Sequence, residues 1–132
     1  MRRTVLAVAL GSLLVATACS SSASGSRTAL AAPKPGATVP MVFTEFKPTM
    51  FTIKAGQALT FVNHQSITHE IVGGSYQVDA GTGLRTSETD DKTFDLKVSQ
   101  KGDTVEHVYD QPGTYHFFCT IHKGMNGTVV VQ

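Results

Sequence analysis

Pro112-Gly113-Thr114-Tyr115-His116-Phe117-Phe118-Cys119-Thr120-Ile121-His122-Lys123-Gly124-Met125-Asn126-Gly127 is the stretch that orients every other part of the chain. The turn residues Pro112 and Gly113 open it, an aromatic run follows, and a short loop leads into the apolar residues Val129, Val130 and Val131. The loop carries Cys-x2-His-x2-Met, so a thiol, an imidazole and a thioether stand three residues apart. In an extended strand alternate residues share a face, which puts Tyr115, Phe117 and Cys119 together and aims the sulfur inward at the strand end. His122 and Met125 are expected to fold over from the tight turn, with Gly124 and Gly127 relieving its backbone.

A lone cysteine among apolar neighbours is usually a small buried hydrophobe, and a lone methionine a gap-filler. Three donors of different softness at loop spacing are another matter, and their mixture favours copper. Two imidazoles and a thiolate with a weak, long axial thioether make a blue-copper arrangement, whereas structural zinc takes four strong Cys or His donors. The second imidazole has to come from elsewhere in the fold. His116 points away from Cys119 on its strand, and His107 reads as a surface or boundary residue, which leaves His64 and His69.

Upstream, from Val39, the pattern is short β-type runs between turn signals, with no sustained helical period. Strands are expected near Met41–Phe46, Thr49–Lys54, Ala58–Asn63, Thr68–Val72, Thr93–Val98, Thr104–Tyr109, Gly113–Phe118 and Gly127–Val131. Pro48 marks an edge or a bend between sheets. Seven or eight short strands in about 95 residues indicate an all-β antiparallel sandwich. Phe51, Ile53, Leu59, Phe61, Phe94, Leu96, Val98, Tyr115, Phe117, Val129 and Val130 are its expected core. The segment from Gly73 to Asp91 lacks periodicity and reads as a surface excursion, packed down by Tyr76, Val78 and Leu84.

The first 38 residues have a different character. Met1 to Ala18 has a basic start at Arg2 and Arg3, an apolar run from Val5 to Val15 and small residues at its end, the parts of an export leader. That run is too short to span a bilayer, which takes about 20 apolar residues. Ala16-Thr17-Ala18-Cys19-Ser20 resembles a bacterial lipobox, in which the cysteine becomes the lipid-bearing N-terminus; ordinary cleavage would leave Cys19 a free thiol. Lipid on Cys19 would anchor the protein to a membrane without embedding it, in the periplasm or on the outer face of the cell membrane. Residues 19–38, rich in Ser, Ala, Gly and Pro, are expected to be a flexible tether reaching about 60 Å. Residues 39–132 form the folded domain. Loss of Arg2 and Arg3 leaves nine basic against ten acidic residues, and no basic patch points to nucleic acid. With Cys19 at the leader junction, Cys119 has no disulfide partner.

Two stretches now carry a resemblance. Asn63-His64-Gln65-Ser66-Ile67-Thr68-His69-Glu70-Ile71-Val72 resembles the segment of the cupredoxin (type 1 blue copper) family in which a strand ends at Asn and a histidine ligand opens the next. Pro-Gly-Thr-Tyr-x3-Cys-x2-His-x2-Met is similar to the same family's ligand loop, plastocyanin-like in outline, with the short His-to-Met spacing of amicyanin. The resemblance covers about residues 39–132. It implies a Greek-key β-sandwich, one copper ion on His69, Cys119, His122 and Met125, and a monomeric electron carrier rather than an enzyme, with the edge of His122 as the electron's exit. Ile121 would then offer a transient redox partner an apolar contact, and Lys123 would favour an acidic one. Thr120 and Asn63 would steady the ligands, and Tyr115 would make a tyrosine-corner contact. Departures from the family pattern are Glu70 in place of a loop-bracing Asn, Ile121 and Lys123 in place of amicyanin prolines, which implies a less rigid loop, and the Gly73–Asp91 excursion. The rival function is copper storage or delivery in the envelope. A multicopper oxidase or nitrite reductase would need a further His beside the cysteine, where Phe118 and Thr120 stand.

Overall fold

The computed structural model describes residues 31–132; the leader, Cys19 and the tether as far as residue 30 lie outside the described residues. Among the described residues nine strands follow one another: β1 Lys34–Val42, β2 Glu45–Phe46, β3 Met50–Ile53, β4 Gln57–Asn63, β5 His69–Val78, β6 Arg85–Val98, β7 Thr104–Tyr109, β8 Gly113–Cys119 and β9 Asn126–Val131. They form two sheets, β2-β1-β4-β7 and β3-β9-β8-β5-β6. This is the expected sandwich, with one qualification: both sheets are mixed, because β1 runs parallel to β4 and β3 parallel to β9. The chain leaves the first sheet after β2, passes Lys47, Pro48 and Thr49 into the second, and returns at β4. Pro48 therefore sits at the bend between sheets, as its chemistry suggested.

Two boundaries differ from expectation. β1 begins at Lys34, inside the stretch read as tether, and its strand ends at Val42 instead of continuing to Phe46. Pro35, Gly36 and Pro40 look like linker residues, but an edge strand tolerates proline where its N–H would face solvent. Only Met41 and Val42 of β1 pair with β2, so most of the strand is such an edge. The excursion is likewise no irregular loop. β5 and β6 extend as an antiparallel ribbon pairing Gly74 with Asp90 through Val78 with Arg85. Most of its residues are exposed, so no buried face imposed alternation on the sequence. Tyr76 packs as expected; Val78 and Leu84 do not, being 46% and 48% exposed.

The core lies between the sheets and centres on Phe117, whose ring is 5.1 Å from Phe46, 5.2 Å from Phe61 and 6.3 Å from Phe51 between centroids. Phe51, Ile53, Leu59, Phe61, Val98 and Val129 are buried as expected, while Phe94, Leu96 and Tyr115 are partly buried against this cluster. Val131 takes the place expected of Val130, because β9 alternates with Gly127, Val129 and Val131 inward.

Candidate metal centre

His69 is the first residue of β5 and is fully buried. Asn63 sets it there: its amide donates to the Ile67 carbonyl at 2.8 Å and its Oδ1 accepts from the Gln65 amide, closing the connection between β4 and β5. Burial, aided by the nearby His122, holds the His69 imidazole below its ordinary value. The ring is therefore neutral near pH 7 and presents a lone pair. His64, the other contender, is exposed at the end of β4.

Cys119 ends β8 with its side chain in the core, on the face it shares with Phe117. Its Sγ lies 4.0 Å from His69 Nδ1 and 3.4 Å from His122 Nδ1. The two imidazole centroids are 5.1 Å apart. One ligand atom from each of His69, Cys119 and His122 lies within 4.8 Å of the others, the one such cluster among the described residues. Two ring nitrogens and a sulfur at these separations can meet at a single ion, so the donor set fits copper without rearrangement of the fold. Met125 is fully buried beside Cys119 in the same core cluster. The loop that carries it closes through Met125 N to His122 O at 3.1 Å and Cys119 N to Met125 O at 3.0 Å.

Neither Gly124 nor Gly127 relieves a left-handed backbone, contrary to expectation; among the described residues the positive-φ glycines are Gly56, Gly74, Gly83 and Gly102. Gly127 is needed for another reason. It faces Phe117 across β8 and β9, and any Cβ there would run into the Phe117 ring. Glu70 does brace the loop, though not as an Asn would: Thr120 donates its hydroxyl to the Glu70 carboxylate at 2.6 Å and its amide to the Glu70 carbonyl at 2.9 Å. Tyr115 donates to the Gln111 carbonyl at 3.0 Å, the tyrosine-corner contact. His116 is exposed and hydrogen-bonded to Thr128, and His107 is half-buried and stacked on Phe94.

Sequence reasoning missed Arg85. Its side chain is fully buried, with its guanidinium beneath the ligand loop. No local signal could have found it, since an arginine in a polar segment reads as a solvated charge.

His122 is the one donor at the surface. It lines a shallow depression with Ile121, Lys123, Gly124 and Leu84, and Ile121 is 51% exposed. The family described as copper binding proteins, plastocyanin/azurin family, matches residues 37–132. Plastocyanin of Scenedesmus fuscus is 34% identical over 89 residues, 66% of this chain and 86% of that protein. Amicyanin of Paracoccus versutus superposes with a TM-score of 0.53 at 20% identity, over 77% of this chain and 86% of that one. A Cu-containing nitrite reductase from Thermus scotoductus SA-01 superposes with a TM-score of 0.53 at 25% identity, over 76% of this chain but 23% of the reductase.

Proposed function

The chain belongs to the plastocyanin/azurin family of copper-binding proteins, with one type 1 copper ion as its cofactor, and from that premise we propose that it shuttles single electrons between redox proteins outside the cytoplasm. When bound, copper supplies a one-electron couple between Cu(II) and Cu(I), biased toward the reduced ion by thiolate and thioether donors. His69, Cys119, His122 and Met125 would hold it, two imidazoles, a thiolate and a thioether. Four donors from the chain leave no open position of the kind a catalytic metal site keeps.

One observation carries the reading: His69, Cys119 and Met125 are buried, and His122 alone reaches the surface. That arrangement gives an electron a short way out through one imidazole edge and gives a substrate no way in. Around that edge, the exposed Ile121 and Leu84 supply apolar contact. Such a footprint suits the small, transient encounters of electron-transfer partners. Export and a lipid anchor on Cys19 belong to the same proposal and are supported by the sequence of residues 1–20.

The visible spectrum tests it. Copper-loaded protein should show intense thiolate-to-copper absorption that vanishes in Cys119→Ser, and should be reduced and reoxidised repeatedly with the metal retained. A colourless protein that binds zinc equally well through Cys119 would overturn the redox reading. Rapid surrender of copper to a chelator in both oxidation states would point to storage or delivery instead.

A further inference from the structure

The β5–β6 ribbon returns to the metal centre at one residue. Arg85 opens β6 with a fully buried side chain, and its guanidinium meets the ligand loop almost atom for atom. Nη2 donates to the Cys119 carbonyl at 2.6 Å. Nη1 faces the carbonyls of His122 at 3.2 Å, Lys123 at 3.4 Å and Met125 at 3.2 Å, and the Asn126 side-chain oxygen at 2.7 Å. Nε donates to Glu88 at 2.6 Å, and the Arg85 amide donates to the Lys123 carbonyl at 3.0 Å. The guanidinium carbon lies over the Phe118 ring, 4.7 Å from its centroid.

We propose that Arg85 is a positioning residue of the copper centre, a clamp that holds the backbone of residues 119–126 in ligating shape before metal arrives. The carbonyls of three ligands, Cys119, His122 and Met125, converge on this one side chain. Loop carbonyls turned away from solvent need donors, and a planar fork of five N–H groups can serve several at once where an ammonium cannot. The clamp supplies the rigidity that Ile121 and Lys123 do not. It also gives the ribbon a role: a long, polar, mostly exposed excursion delivers one buried cation. Glu88, partly exposed at the outer end, neutralises that cation and aims its Nε side. The guanidinium charge beside the Cys119 backbone also disfavours the more positively charged oxidised site.

The proposal rests on the copper reading above, so one arm of its test needs no metal. Arg85→Lys keeps the charge and loses the fork; Arg85→Met loses both. In metal-free protein, amides of residues 120–126 should exchange with solvent at least about tenfold faster in both variants, while amides of β4 keep their wild-type rates. Copper transfer to a chelator should accelerate about 10- to 100-fold, the usual consequence of removing a group that orients metal ligands. The reduction potential should be lower in Arg85→Met than in Arg85→Lys. Wild-type loop exchange and copper release in Arg85→Lys, even with reduced overall stability, would overturn the proposal. Should both Arg85 variants fail to fold, Glu88→Gln decides: faster loop exchange and a raised potential support the clamp, and unchanged values overturn it. A wild-type protein with no blue absorption but with Arg85-dependent loop protection would sink the copper reading and still support the clamp.

Discussion

Phe117 and Gly127 show how closely β8 and β9, neighbours inside the second sheet, fit. The ring is fully buried among three other aromatic side chains and lies where a Cβ of residue 127 would be. Phe117→Ala should cost about 3–5 kcal/mol in urea denaturation of metal-free protein, through lost burial and an unfilled cavity. Gly127→Ala should cost about 1–3 kcal/mol by overpacking. Because the two residues touch, Phe117→Leu combined with Gly127→Ala should be less damaging than the sum of the single changes; strict additivity would show that the ring is not the obstacle. His107 supplies a pH dependence. Its imidazole packs against Phe94 and Tyr109, and burial holds it below its ordinary value despite the opposing pull of Asp110 and Asp91. The folded protein thus takes up this proton less readily than the unfolded chain. Stability is full above the unfolded value near 6.5 and falls as pH drops below it, until the folded value is passed. His107→Gln should make the denaturation midpoint less steep between pH 7 and 5, leaving the part that the buried His69 contributes, and an unchanged slope would refute this assignment.

The strands were legible where one face is buried, as in β3, β4 and β9, because alternation is the imprint of a half-buried sheet. β1 and the β5–β6 ribbon were not, the first because its prolines and glycine mimic a linker, the second because both its faces are largely wet. The tip of the ribbon is held by Asp79, whose carboxylate accepts from the amides of Gly81 and Thr82 and from the Thr82 hydroxyl. The Thr82 hydroxyl, with those amides, holds the Asp79 carboxyl below the usual carboxylate range. Its contribution is therefore present at neutral pH and is lost as pH falls through the acid range. Amide exchange at Gly81 and Thr82 should accelerate in Asp79→Ala, while amides of β8 remain protected. Loss of protection across the second sheet would mean that the ribbon does not open independently.

Taken together, the two sheets close around a hydrophobic core, and the donor cluster sits at one end of it, where β5 begins and β8 ends. Metal-free protein should keep its β-type circular dichroism and unfold in one cooperative transition. Copper should raise the midpoint in proportion to the logarithm of its concentration over the dissociation constant, since it binds the folded state preferentially. Unfolding on chelation would instead make the metal structural. Outside the described residues, Cys19→Ser should move the protein from the membrane fraction to the soluble one; unchanged partitioning would remove the lipid anchor from the proposal.

Residues close in the chain had already spelled out the sandwich class, the inward aim of Cys119 and its company with His122 and Met125, because strand period and loop spacing are short-range properties. The motif at Asn63 to Val72 also singled out His69 over His64. What needed the folded chain was long-range. The parallel pairing of β1 with β4 and of β3 with β9 depends on where the chain crosses between sheets, and a period of two carries no direction. Arg85 meets Cys119 across 34 residues and Asn126 across 41, and no local pattern distinguishes a buried cation held by backbone carbonyls from one held by water.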